Sequence, residues 1–277
     1  MIFFVVRSYS ILYGFVKDHF KQNLPGLGYA LRKLKHDHIL DIHGRKMFLS
    51  HKVAVCYRRH ISGAWNEPET HIFLNRVVQQ IETPITFVDV GANIGEMVID
   101  VSRHDNVTKV IAFEPLFDCV EAINKSLELN HVKNYLVIDK LVGEAIGHTR
   151  FDASRSVGGS SILSQESSES TNEVATTTLD QELGSVVDDT IILIDVEGYE
   201  PQVLKGDLQF ISRIKPLIIF EYNQVSKMHF KSTDIQALLG DQYSIYRLRS
   251  DATLDTDIEH AWNCVAIPSN TIFSKIL

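Results

Sequence analysis

Along the chain, short apolar runs alternate with stretches in which apolar residues recur every three to four positions. The run I-T-F-V-D-V (85–90) carries Phe87, Val88 and Val90 and is too short for a helix. It predicts a strand buried on both faces. K-V-I-A-F (109–113), Y-L-V-I-D (135–139), I-I-L-I-D-V (191–196) and L-I-I-F (217–220) predict four more strands, and 244–248 and 264–267 the last two. Between them lie helix-spaced faces: Met97, Val98 and Val101; Val120, Ile123 and Leu127 within 118–129; the stretch 199–208; and 235–239. Strands that alternate with helices predict right-handed crossovers and a doubly wound, mostly parallel α/β sheet.

Ahead of that sheet the pattern is less regular. The opening run M-I-F-F-V-V is interrupted by Arg7 and closed by Lys17, Asp18 and His19, short of the ~20 residues a span needs. It has no basic start or small-residue cleavage site. The prediction is a docked amphipathic helix, with surface association with a membrane as the alternative, and no stable membrane insertion. N-L-P-G-L-G (23–28) is a break, and 29–35 is a helical turn with a basic face. Residues 38–56 read as a hairpin turning at His43-Gly44-Arg45, 61–68 as a loop, and 69–82 as a helix through Ile72, Phe73, Val77 and Ile81. The chain therefore divides into a helix-and-hairpin cap (1–82) and a sheet domain (83–277). From 152 to 174 serine, glycine and glutamate dominate; this is either a mobile linker or a lid over a site, with Gly158, Gly159 and Ser160 its ordered portion.

Composition narrows the function classes. The net charge is −8, so no nucleic-acid footprint is expected. Cys56, Cys119 and Cys264 lie far apart with no C-x-x-C pair, which argues against a zinc knuckle or a disulfide framework and suits a cytoplasmic protein. His36, His38, His43, His51 and His229 show no metal-ligand spacing, so no transition-metal site is expected.

The candidate chemistry gathers at strand ends. After I-T-F-V-D-V comes G-A-N-I-G, two glycines four positions apart, and then a helix. Strand, glycine turn, helix is the nucleotide-side turn of a doubly wound sheet. No Gly-Lys-Ser/Thr follows, so it is not a P-loop, and Asn93 stands where a dinucleotide fingerprint has its middle glycine. Ligands sit outside the carboxyl ends of parallel strands. Those ends carry Asp89, Glu114, Asp139, Asp195 with Glu197, and Glu221, a rim suited to a cationic or hydroxyl-rich ligand. Glu114 lies 19 residues after Gly95 (114 − 95), close to the ~20 at which an acid binds ribose hydroxyls; otherwise it is a solvated strand-end acid. In D-V-E-G-Y-E (195–200), Asp195 and Glu197 can act as general base on a substrate hydroxyl, hold a divalent cation, or merely begin the next helix, a reading that weighs more for Glu200 than for Asp195. His229, Tyr222 and Asn223 follow the fifth strand and are either substrate contacts or ordinary packed and solvated side chains.

Six motifs occur in order: D-V-G-A-N-I-G (89–95), A-F-E-P (112–115), T-T-L-D (177–180), L-I-D-V-E-G-Y-E (193–200), V-L-K-G (203–206) and K-P-L-I-I-F-E (215–221). From about Trp65 to Pro268 the chain resembles the FkbM family of S-adenosylmethionine-dependent methyltransferases. The resemblance implies a class I methyltransferase (Rossmann-like) fold with a seven-stranded sheet, the last hairpin strand antiparallel. It implies that Asp89, Gly91, Asn93 and Gly95 line the methionine end of the cofactor, that Glu114 holds its ribose, and that Asp139 lies near the adenine. Family members typically methylate oxygen, often on sugars or natural-product hydroxyls, so a small-molecule hydroxyl acceptor is the expected partner. Asp195 or Glu197 is then the expected base; if the pair binds Mg²⁺ instead, the metal lowers the hydroxyl's pKa. Two rival readings stand beside this one. An NAD(P)-dependent Rossmann oxidoreductase needs the glycine that Asn93 replaces and an acid-base set not evident here; against a non-catalytic cofactor-binding module speak the acids at Asp195 and Glu197.

Overall fold

The structure is a computed structural model that describes residues 36–152 and 171–277, apart from 54, 57, 58, 60 and 61. The expected N-terminal helix, the helical turn at 29–35 and the glycines at 158–159 with Ser160 lie outside the described residues. The first element among the described residues is a hairpin, β1 (His38–Ile42) and β2 (Arg45–Leu49), turning at His43-Gly44 with both residues at positive φ. Both positive angles suit a two-residue turn whose twist matches the strands. A lone hairpin is marginal in water. This one docks on a helix, α3 (Phe117–Leu129): Phe48 N donates to Ser126 Oγ at 2.8 Å and Lys46 N to Asn130 Oδ1 at 2.9 Å.

Helix α1 (Pro68–Gln79) follows, then β3 (Ile85–Val90), α2 (Glu96–Val101), β4 (Val107–Phe113), α3 and β5 (Tyr135–Ile138). A short side sheet comes next: β6 (Leu141–Val142), β7 (Gly147–Asp152) and β8 (Thr171–Thr177), in the order β6-β8-β7. Residues 171–174, expected in the serine-rich linker or lid, therefore open a strand instead. The main sheet resumes with α4 (Leu179–Glu182), β9 (Asp189–Ile194), α5 (Glu200–Gly206), α6 (Leu208–Ile214) and β10 (Leu217–Glu221). It ends with α7 (Ser226–His229), α8 (Ser232–Leu239), β11 (Tyr243–Leu248), β12 (Leu254–Asp255), β13 (Asn263–Pro268) and α9 (Phe273–Ile276).

The main sheet has the order β12-β11-β13-β10-β9-β3-β4-β5, with β3, β4, β5, β9 and β10 parallel and β13 antiparallel to both neighbours. This is the class I methyltransferase arrangement with one change: the sheet has eight strands rather than seven. The eighth, β12, is a two-residue edge strand pairing Arg247 and Leu248 of β11, too short to leave an apolar run in the sequence. The predicted helix at 199–208 is also two helices, because Asp207 ends one and precedes the next.

Alternation along each strand separates two cores. Phe87, Ile191, Leu193 and Ile219 face one layer with Phe73, Val77, Ile123 and Leu127 from α1 and α3. Val88, Val90, Ile192, Ile194 and Phe220 face the other, with Val203, Phe210 and Ile235 from α5, α6 and α8. Two of the sequence motifs fasten this second layer. Asp207 Oδ1 accepts Leu179 N at 2.5 Å and Asp180 Oδ1 accepts Phe210 N at 2.6 Å, so T-T-L-D and the residues directly after V-L-K-G brace one another.

Candidate active site

The strand order reverses between β3 and β9, and an open α/β sheet binds its ligands in that crevice. Here five parallel strands end in register. Phe220, Ile194, Val90, Phe113 and Ile138 are paired across the sheet, so the next residues form one row: Glu221, Asp195, Gly91, Glu114 and Asp139. Asp89 lies two residues inside that row, paired with Ala112 and Leu193, rather than at the strand tip. Side chains alternate faces along a strand, so Asp89, Asp195 and Glu221 all point toward the layer that holds α1.

Gly91 has φ +86°, and a Cβ there would lie 2.0 Å from the backbone oxygen of Asp195. The glycine is therefore required by the protein's own β9 as well as by any ligand. Gly95, at φ +81°, is crowded by Ile123 and Val98 side chains at 3.0 and 3.2 Å, which lets α2 and α3 close behind the turn. Glu114 fixes the turn's outer side: its Oε2 accepts Asn93 N and its Oε1 accepts Leu116 N, both at 2.9 Å. Asn93 takes a left-handed φ of 52° to present that N–H, a conformation asparagine tolerates better than most residues. Asp139 is exposed at the tip of β5, next to Glu114 in the row.

The acids are held out of water. Asp89 is 2% exposed; burial, helped by the Glu114 and Glu67 charges, pushes its pKa up to about 8. Burial likewise moves Glu114 up to about 7 against its two backbone donors. Asp195 is raised by burial first and then by the charges of Glu221, Glu67, Glu197 and Glu200. Glu197, at φ 54°, is raised by burial and by Glu67. Among the described residues none of these groups is lowered by a lysine or arginine. A pocket of carboxylates without a protein cation fits a ligand that brings positive charge.

Sequence reasoning missed Glu67. It lies in the loop before α1, and α1 covers the face to which Asp195 and Glu221 point. One carboxylate oxygen from each of Glu67, Asp195 and Glu221 lies within 4.8 Å of the others, a mutual repulsion of roughly 3–4 kcal/mol per pair if all are ionised. The loop is held by Asn66 N donating to Glu96 Oε2 at 2.7 Å and by an Arg59–Glu96 ion pair at 2.5 Å. Helix α1 is tied to α2 by a buried His71–Asp100 pair at 2.7 Å. The sequence offers only a faint signal for Glu67, an acid directly before a helix-starting proline.

The other candidates separate. Glu200 starts α5 and its Oε1 accepts Val196 N and Gly198 N at 3.2 and 3.3 Å, so it holds the turn that presents Glu197. Asn223 donates to Glu221 Oε1 at 2.5 Å while its Oδ1 accepts Val225 N and Ser226 N; it positions an acid rather than facing solvent. Tyr222 packs on Phe230, and its hydroxyl accepts Ser232 N at 3.0 Å. His229 is exposed but its ring lies against Gly198, where a Cβ would sit 2.6 Å away. Among the described residues no helix is long and apolar enough to cross a membrane.

Comparison with known proteins gives this geometry a family. The structure of methyltransferase FkbM from Methylobacillus flagellatus KT is similar at a TM-score of 0.45 and 18% identity, over 77% of this chain and 53% of that one. The chain thus spans about half the length of that protein. An rRNA methylase from Streptococcus thermophilus is similar at a TM-score of 0.43 and 12% identity, over 72% and 95% of the two chains. A tRNA (uracil-54, C5)-methyltransferase from Pyrococcus abyssi, in complex with S-adenosyl-L-homocysteine, matches at a TM-score of 0.40 and 11% identity, over 84% and 44%. No curated protein matches the chain. The family model of the methyltransferase FkbM domain covers residues 89–243, from the buried acid of β3 through every strand tip in the row. With more than half of its length inside that model, this chain belongs to the FkbM methyltransferase family.

Proposed function

We propose that this protein is an S-adenosylmethionine-dependent O-methyltransferase acting on a hydroxyl of a sugar or another small molecule. The observation that carries the reading is the row of strand tips, with acids on both sides of a glycine turn and, among the described residues, no lysine or arginine paired with the buried ones. The buried Asp89 and Glu114 fit a nucleoside that carries a sulfonium and an ammonium. Asp89, Gly91, Asn93 and Gly95 would hold its methionine end, Glu114 its ribose hydroxyls, and Asp139, one strand further out, its adenine side. When bound, S-adenosylmethionine supplies an electrophilic methyl group.

The residues of this chain supply alignment and proton transfer. Methyl transfer to oxygen is an in-line displacement, so the main contribution of the pocket is to fix the acceptor hydroxyl against the donor. Asp195, with its pKa raised by burial and by neighbouring acids, takes the hydroxyl proton; Glu197, on the turn after it, is the second candidate. Exclusion of water favours a step in which charge is lost. Free, buried Cys56, Cys119 and Cys264 suit a reducing, cytoplasmic setting. Residues 83–277 hold the catalytic row, and the cap (1–82) contributes Glu67.

Thermal-shift titration tests the cofactor: S-adenosylhomocysteine raises the melting temperature and NAD does not. Labelled S-adenosylmethionine incubated with a metabolite pool then yields a product heavier by one methylene. Saturable cofactor binding with no transfer to any acceptor would overturn the enzymatic reading in favour of a silent binding module.

A further inference from the structure

Glu67, Asp195 and Glu221 come from three separate elements, the loop before α1 and the tips of β9 and β10, yet their carboxylates converge within 4.8 Å. Glu221 is only 5% exposed. Its Oε1 takes Asn223 Nδ2, while its Oε2 is buried and meets no hydrogen-bond donor. One of its carboxylate oxygens lies within 4.8 Å of an oxygen of Asp195 and of Glu67, so the group faces the cluster. A buried acceptor beside two more acids requires a cation or a shared proton.

The surroundings orient these oxygens. Asn263 Nδ2 donates to Glu67 Oε2 at 2.7 Å, and Asn263 itself pairs with Glu221 across β13 and β10. One asparagine thus holds Glu67 and another, Asn223, holds Glu221, the kind of outer support that fixes metal ligands. Glu197 is not part of the converging set, so the pair expected from the sequence is replaced by a different trio around Asp195. All three ligands are hard oxygens, with no histidine or cysteine. Three oxygens around one ion at roughly 90–120° to one another stand roughly 3.3–4.5 Å apart for Ca²⁺ and roughly 2.8–3.6 Å for Mg²⁺, so a cluster within 4.8 Å is of the size that a cation of the larger kind draws together.

We propose that Glu67, Asp195 and Glu221 form a binding site for one hard divalent cation, whose remaining positions are open to water or to an acceptor oxygen. The inference deepens the methyltransferase reading, because Asp195 belongs to both. With the cation bound, Asp195 would serve as a ligand instead of as the base, proton removal would pass to Glu197, the second candidate, and the cation would lower the pKa of the hydroxyl.

Mn²⁺ is the probe, titrated into the full chain with neither cofactor nor acceptor and followed by calorimetry and by the electron paramagnetic signal of free Mn²⁺. The expected result is one Mn²⁺ per chain, weakened at least tenfold by Glu67→Gln and by Glu221→Gln. Asp257→Asn, in the exposed cluster Asp257, Glu259 and His260, leaves this binding unchanged. Circular dichroism establishes that the variants fold; should Glu221→Gln fail to fold, Glu67→Gln decides. Absence of saturable binding at millimolar Mn²⁺, or binding that survives Glu67→Gln, overturns the site and leaves Asp195 and Glu221 sharing a proton. The two readings fail separately. S-adenosylhomocysteine binding without Mn²⁺ binding sinks only the metal site, whereas Mn²⁺ binding without any cofactor binding sinks the methyltransferase reading.

Discussion

Replacing Gly91 by alanine tests how the glycine turn and β9 depend on one another. The new Cβ would start 2.0 Å from the Asp195 carbonyl oxygen. Ordinary contact begins near 3.4 Å, so the two must part by about 1.4 Å (3.4 − 2.0). Asp195 N is held to Val90 O at 2.9 Å, and that bond spans the very gap that has to open. A left-handed alanine costs about 1–2 kcal/mol, and forcing atoms into a packed site adds about 1–3 kcal/mol. The sum is about 2–5 kcal/mol, a large share of the ~5–15 kcal/mol that keeps a domain folded. Gly44 is the control: its φ is +80° and nothing lies within 4 Å of the point a Cβ would occupy, so Gly44→Ala carries the conformational cost of about 1–2 kcal/mol alone. Urea denaturation of both variants separates the two contributions. Equal losses for Gly91→Ala and Gly44→Ala would refute the steric argument, since only the first meets β9.

Three further outcomes are expected. Glu114→Ala weakens S-adenosylhomocysteine binding at least tenfold, from the loss of a charge-assisted contact of roughly 1.5–3 kcal/mol, and also lowers the melting temperature by freeing Asn93 N and Leu116 N; unchanged calorimetric affinity would retire the ribose assignment. Asp195→Asn spares cofactor affinity and cuts methyl transfer in a labelled-methyl assay, and full activity would remove it from the chemistry. Asp89 titrates at 3.8 when solvated and at about 8 in the buried strand. Between those values the folded chain keeps a proton that the unfolded chain has released, so stability falls as pH rises from about 4 to about 8. Asp89→Asn should flatten that slope in urea titrations across the range, and an unaltered slope would assign it to other groups.

How much of this could be read from the chain depended on where apolar residues concentrate. β3, β9 and β10 are buried on both faces almost throughout, and β4 and the edge strand β5 are buried toward their carboxyl ends; each left an apolar run, and their tips followed directly. The side sheet left none: β6 is two residues long, and β7 and β8 (G-H-T-R-F-D and T-N-E-V-A-T-T) are mostly polar. Strands this short or this polar carry no apolar periodicity to read. The site divided in the same way. Glu114, Asp139, Asp195 and Glu221 were legible because strand termini announce themselves, whereas Glu67 enters through the packing of α1 against a strand 196 positions later, where it meets Asn263. Nothing local encodes such a meeting. A motif does not by itself tell structure from chemistry: Asp180, in T-T-L-D, is occupied in fastening a helix, as is Asp207 just after V-L-K-G.

The even termination of the sheet works as a ruler. Neighbouring strands lie ~4.8 Å apart, so Glu114 and Asp195, two strands from one another, are separated at the backbone by ~10 Å, and Asp139 and Glu221 by about twice that. Lengths along this ruler are set by backbone pairing and do not change when loops do. Segments beyond β9 and β10 can therefore be rebuilt without disturbing the distance between Glu114 and Asp195, which, on the proposed reading, leaves one half of the groove free to diversify while the other stays fixed.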